Sequence, residues 1–105
     1  MDEMLDQSLN QDSENIRFLS AKMGLTTRQA EVLHWVAQGK TNEEIATILK
    51  CSFHTVKTHL KEIFHRLSVP NRAAAIAAVY RVFIDLLKQN AASTERGMPT
   101  PQANR

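Results

Sequence analysis

The stretch Ser52–Leu67, SFHTVKTHLKEIFHRL, constrains this chain more than any other. Val56, Leu60, Ile63, Phe64 and Leu67 recur at the spacing of one helix face, so the segment has to lie against a core. His54, Lys57, Thr58, Lys61 and His65 form a second stripe, centred about 130° round the helix from the first. That stripe holds donors and cations and no acid. Glu62 stands at its edge, where it can pair with Arg66 one turn on. An ordinary basic surface helix is the competing reading, but a merely solvated face usually mixes signs. A helix gripped on one side and offering Lys, Thr and His on the other suits insertion into a DNA groove.

The segments before it prepare that placement. Thr26-x-x-Gln29 is a capping box, followed by Ala30, Leu33, Val36 and Ala37 at helical spacing with Val32 alongside. Gly39 supplies a left-handed stop. Trp35 falls off the centre of that stripe and is expected to be partly exposed or packed on a neighbouring segment. Thr41-x-x-Glu44 is a second capping box, opening a short helix marked by Ile45, Ile48 and Leu49. Lys50 then stands where glycine would be natural, and a left-handed non-glycine residue costs on the order of 1 kcal/mol. Cys51 reads as a small buried hydrophobe, and Ser52 caps the two-faced helix. A short helix, a tight turn and a longer two-faced helix make a helix-turn-helix.

Pro70 breaks the chain and Asn71 can cap a last helix, along which Ile76, Val79, Tyr80, Phe83, Leu86 and Leu87 repeat. The expected fold is all-α, a four-helix helix-turn-helix domain over residues 16–90 with the groove-facing helix at about 53–67. Within it a short helix over Ser13–Met23 turns Ile16, Leu19 and Met23 inward and ends at Gly24. Residues 1–15 read as an acidic flexible arm and residues 91–105 as a disordered tail, and deletion of Met1–Ser13 and Thr94–Arg105 is expected to leave the fold intact.

The net charge is only +2, but it is unevenly placed. Asp2, Glu3, Asp6, Asp12 and Glu14 crowd the arm, whereas Lys50, Lys57, Lys61, Arg66 and Arg72 face Glu62 alone over residues 50–72. Such asymmetry points to a polyanion partner. A lone cysteine and the lack of an apolar leader over the first residues fit a reducing compartment, so a cytoplasmic location is expected. The longest apolar run, Ala73–Leu87, is interrupted by Arg81 and Asp85 and is too short to span a bilayer. No cofactor and no membrane partner are expected.

LTTRQAEVLHWVAQGKTNEEIATIL followed by TVKTHLKEIFHRLSVPNRAAAI resembles the LuxR/GerE-type (NarL/FixJ) DNA-binding domain of bacterial transcription regulators. The resemblance covers Leu25 to about Tyr80, and GKTNEEIA and TVKTHL are its most specific parts. It implies double-stranded DNA as partner, with the third helix of the domain in the major groove and the fourth pairing with its mate. It implies that Lys57, Thr58 and Lys61 meet base edges or nearby phosphates, that His54 does so in some members, and that Thr41, Asn42, Thr55 and Arg72 lie near the DNA backbone. Gln29, Lys50 and Ala74 depart from a usual Glu, Gly and Glu, and none of these departures removes a DNA-facing residue. Most members carry a receiver or ligand-sensing domain ahead of this one. The residues before Leu25 hold neither, which suggests a stand-alone effector or a fragment.

A homodimer is expected through Val79, Phe83, Leu86 and Leu87; the alternative is that this stripe folds back on Ile16, Phe18 and Leu19. Another transcription regulator or RNA polymerase is a further possible partner. The leading alternative function is an interaction module that heterodimerises with a full-length LuxR-type regulator and inhibits it, although such a module has no need of Lys57 and Lys61. Region 4 of a sigma factor shares part of the pattern, but the apolar helix after Pro70 counts against it. Cys51, His54, His59 and His65 invite a zinc reading that one cysteine supports poorly, and no catalytic grouping is visible, so an enzyme is not expected.

Overall fold

A computed structural model describes residues 2–97, with side chains described over residues 10–91. Five helices follow one another: α1 Asp2–Met23, α2 Thr27–Ala37, α3 Asn42–Leu49, α4 Phe53–Leu67 and α5 Arg72–Gly97. The helix-turn-helix is α3 and α4, at the boundaries the capping residues set.

Thr26 accepts from the Gln29 N–H at 3.1 Å while the Gln29 side chain accepts from the Thr26 N–H at 3.1 Å. Thr41 and Glu44 do the same at 3.1 and 2.8 Å. Ser52 accepts from Thr55 at 2.9 Å, and Asn71 from Ala74 at 2.9 Å. Each such cap contributes about 1 kcal/mol.

The other ends share one device as well. Leu25, Lys40, Cys51 and Val69 each donate back to the carbonyl five residues earlier, at 2.9–3.1 Å, which is the six-to-one bond of a Schellman turn. The residue ahead of each donor is left-handed. Two are glycines, Gly24 and Gly39, and two are not, Lys50 at φ 59 and Ser68 at φ 57.

The core joins Leu19 and Leu25 to Ala30, Val32, Leu33 and Val36 of α2, Ile45 and Ala46 of α3, Val56, Leu60 and Ile63 of α4, and Ala75 and Val79 of α5. Val56, Leu60 and Ile63 therefore fix the inner face of α4, each contributing about 1.5–3 kcal/mol by burial. Trp35 is half-buried against this core, its ring meeting that of His34 edge-on at 4.7 Å.

At both ends of the chain the backbone is helical beyond the expected domain bounds. Where a flexible arm was expected over residues 1–15, the backbone from Asp2 is helical and continuous with the segment that carries Leu19. Asp12 shows why: its carboxylate accepts from Nε2 of His34 at 3.0 Å, and His34 is buried in α2. The helix expected over Ser13–Met23 is therefore longer at its start, and as α1 it packs on α2. At the other end, residues 91–97 of the expected tail continue α5, and residues 98–105 lie outside the described residues, as does Met1 of the arm.

The last helix is divided between two environments. Val79 is only 2% exposed and belongs to the protomer's own core, so it leaves the expected dimer interface. Phe83 is half-buried and its ring lies 5.0 Å from that of Phe18 in α1. Leu86 is half-buried, while Tyr80, Ile84 and Leu87 are 53%, 49% and 65% exposed. The stripe folds back on α1 in part, and an apolar edge is left over. No helix among the described residues is long and apolar enough to cross a membrane.

Candidate nucleic-acid interface

The first turn of α4 is held open toward solvent by its own cap. Ser52 and Thr55 share a hydroxyl–hydroxyl bond at 2.8 Å, and Ser52 Oγ also accepts the Thr55 N–H. Whichever hydroxyl donates, one O–H is left over for an outside acceptor. His54, Lys57, Thr58, Lys61 and His65 are all exposed, while Thr55 is half-buried.

Four of the expected site residues come together. Asn42, Lys57, Lys61 and Arg72 line one hollow floored by Leu60 and Phe64. Its polar lining is cationic or amide throughout. Thr41, Asn42 and Arg72 also border a neighbouring hollow with Lys40, Glu43 and Phe53. His65 lies on the other flank of α4, where it shares a concavity with Lys61, Gln29, Glu62 and Arg66. The surface therefore runs from the start of α3 across α4, with Lys61 common to both sides.

The electrostatics beside it are arranged by hydrogen bonds more than by burial. Glu44 is held below its ordinary value by the Thr41 N–H; desolvation opposes the shift, and the Lys40 charge and the Thr41 hydroxyl add lesser lowering contributions. The Thr41 oxygen in turn accepts from the Glu44 N–H. Glu62 does not turn to Arg66 as its spacing allowed. It accepts from Gln29 Nε2 at 3.4 Å and lies 3.7 Å from Nδ1 of His59, while Arg66 Nε donates to the Gly24 carbonyl at 2.9 Å. The only acid of α4 is thus drawn toward α2, away from the Lys57 side.

Arg72 is the residue whose place differs most from a simple reading. It is half-buried, with Nη1 donating to Oδ1 of Asn42 at 2.7 Å and Nη2 to the Lys40 carbonyl at 2.7 Å. Phe53 is a surface residue that belongs to neither stripe of α4. It is 44% exposed, and the Lys57 ammonium sits 5.6 Å from its ring centroid. An aromatic four residues before a lysine, outside the reach of the core, was the available signal. Among the described residues no three His, Cys, Asp or Glu side chains cluster as a metal site would require.

Known proteins share this segment. The chain is similar to the HTH-type quorum sensing-dependent transcriptional regulator RpaR of Rhodopseudomonas palustris, 51% identical over 53 residues, which are 50% of this chain and 22% of that protein. It is similar to the HTH-type quorum-sensing regulator RhlR of Pseudomonas aeruginosa, 38% identical over 87 residues, covering 83% of this chain and 35% of RhlR. The nitrate/nitrite response regulator protein NarP of Escherichia coli is 45% identical over 51 residues, 49% of this chain and 24% of NarP. The chain thus spans between 22% and 35% of the length of these curated relatives. No solved structure gives a significant match. Residues 23–79, from the end of α1 to the first third of α5, match the family described as "Bacterial regulatory proteins, luxR family". The chain belongs to that family, and those residues form its helix-turn-helix DNA-binding domain.

Proposed function

We propose that the protein binds specific double-stranded DNA sequences as a transcription regulator, with α4 in the major groove, and that it does so as a homodimer. Lys57, Thr58 and Lys61 read base edges, with His54 at the mouth of the groove. Thr41, Asn42, Thr55 and His65 lie along the sugar–phosphate backbone, and Arg72 stands behind Asn42. The observation that carries this reading is the acid-free hollow in which Asn42, Lys57, Lys61 and Arg72 converge on the outer side of α4. Lysine donors on a helix whose other face is locked in a core, with the Asn42 amide of α3 beside them, are what base and phosphate acceptors require. The partners are DNA and a second copy of the chain. A contact with RNA polymerase would follow from acting as a regulator.

The test is selection of bound duplexes from random DNA with the purified chain alone, followed by titration of the selected sequence. Lys57→Ala and Lys61→Ala are each expected to weaken specific binding by about 1–3 kcal/mol while leaving binding to mixed-sequence DNA nearly unchanged. Recovery of no preferred sequence, with the chain folded, would overturn the reading. It would favour a module that acts by pairing with a full-length regulator.

A further inference from the structure

We infer that Arg72 serves DNA binding as a positioning residue, fixing Asn42 and the turn before α3 so that Asn42 offers only amide N–H groups to the DNA backbone. The inference rests on the DNA-binding reading above.

Arg72 is the first residue of α5, yet both its described bonds go to the start of α3. At 2.7 Å each, they lie at the short end of charge-assisted N–H···O bonds. A guanidinium has donors and no acceptor. The Asn42 oxygen must therefore turn to Arg72, and the group Asn42 has left is its NH₂. Were the amide free to flip, its oxygen could face a phosphate oxygen, acceptor against acceptor. The second bond pins the Lys40 carbonyl, one residue before Thr41, the cap of α3. One side chain of α5 thus sets both the orientation of Asn42 and the position of the first turn of α3. A lysine at this position would keep the charge. Its compact ammonium lacks the planar fork that holds two acceptors at once. That difference separates positioning from plain attraction to phosphate.

The experiment measures binding of the full chain to a duplex it has itself selected from random DNA, by fluorescence anisotropy over a range of salt concentrations, with thermal unfolding followed in parallel. Arg72→Lys and Arg72→Ala are both expected to weaken binding about tenfold. Asn42→Ala should do the same, and the Arg72→Ala/Asn42→Ala double variant should bind no worse than the weaker single variant, because the two residues act as one unit. The slope of log K against log salt should stay at the wild-type value. Asn42→Asp supplies a control that stays folded, since it keeps an acceptor for Arg72; it should nonetheless bind more weakly than Asn42→Ala. Arg72→Lys binding like wild type would overturn the inference, as would Asn42→Asp binding like wild type. So would additive losses with a slope lowered by about 0.9 in Arg72→Ala, which is the signature of a direct phosphate ligand. If instead a Lys57→Ala/Lys61→Ala variant binds the selected duplex as wild type does, the groove reading itself fails and takes the inference with it.

Discussion

Lys50 and Ser68 end α3 and α4 in the left-handed conformation that Gly24 and Gly39 adopt at the ends of α1 and α2. A side chain there crowds the following carbonyl, at about 1–2 kcal/mol. Lys50→Gly should relieve that strain but add freedom to the unfolded chain, worth about 0.5–1 kcal/mol in the opposite sense. The expected net result is a stabilisation of about 0.5 kcal/mol, readable as a higher urea midpoint at unchanged slope. A lower midpoint would show that Lys50 contributes a contact worth more than its strain. The position of Lys50 was legible in the sequence, because a helix ending three residues before the Ser52 cap demands a left-handed residue there. Ser68 was not, because Pro70 offered a sufficient reason for the break. Nor were the partners of Arg72 and Asp12 legible. Asn42 and His34 lie 30 and 22 residues away, and nothing local in the sequence singles them out.

At the scale of elements, the three caps at Thr26, Thr41 and Ser52 were legible because each is satisfied within one turn. The extent of α1 was not, because a run of acids without bases carries no amphipathic signal and its anchor lies in α2. Two expectations follow. The Glu44 carboxyl has a folded value below its unfolded one, so it adds stability above the ordinary carboxylate range and loses it as the pH falls through the folded value. Glu44→Gln keeps the box, as Gln29 does in α2, and should flatten the fall in melting temperature between about pH 5 and pH 3. An unaltered acid profile would show that the Thr41 N–H does not discriminate between the two forms. For α1, removal of residues 1–13 takes away Asp12 and leaves a ring nitrogen of buried His34 without its acceptor. That should cost about 1–3 kcal/mol, contrary to the dispensability the sequence suggested, and Asp12→Ala should reproduce most of it. A deletion that leaves the denaturation midpoint in place would show that this end of α1 does not hold His34.

At the scale of the whole molecule, the question is what covers the far side of α5. The helix has 26 residues, or about 39 Å, and its core contacts are concentrated in the first half. Val79 and Phe83 are taken up by the protomer, against the core and Phe18. Tyr80, Ile84 and Leu87 remain exposed at a spacing of four and three, one continuous helical edge. The Tyr80 hydroxyl donates to the Ala37 carbonyl at 3.1 Å, which ties its ring to the surface at the root of that edge. A second copy related by a two-fold axis would bury the same edge on both chains and would place two α4 helices on successive major grooves, about one helical turn apart. The residues to alter are therefore not all those the sequence suggested. Phe83→Asp should unfold the protomer, since it puts a charge beside Phe18. Ile84→Asp and Leu87→Asp should leave the melting of the isolated chain nearly unchanged, dissociate the dimer in sedimentation at micromolar concentration, and weaken binding to an inverted repeat far more than to a single half-site. A wild-type chain that sediments as a monomer, and that binds one half-site as tightly as two, would end the dimer model.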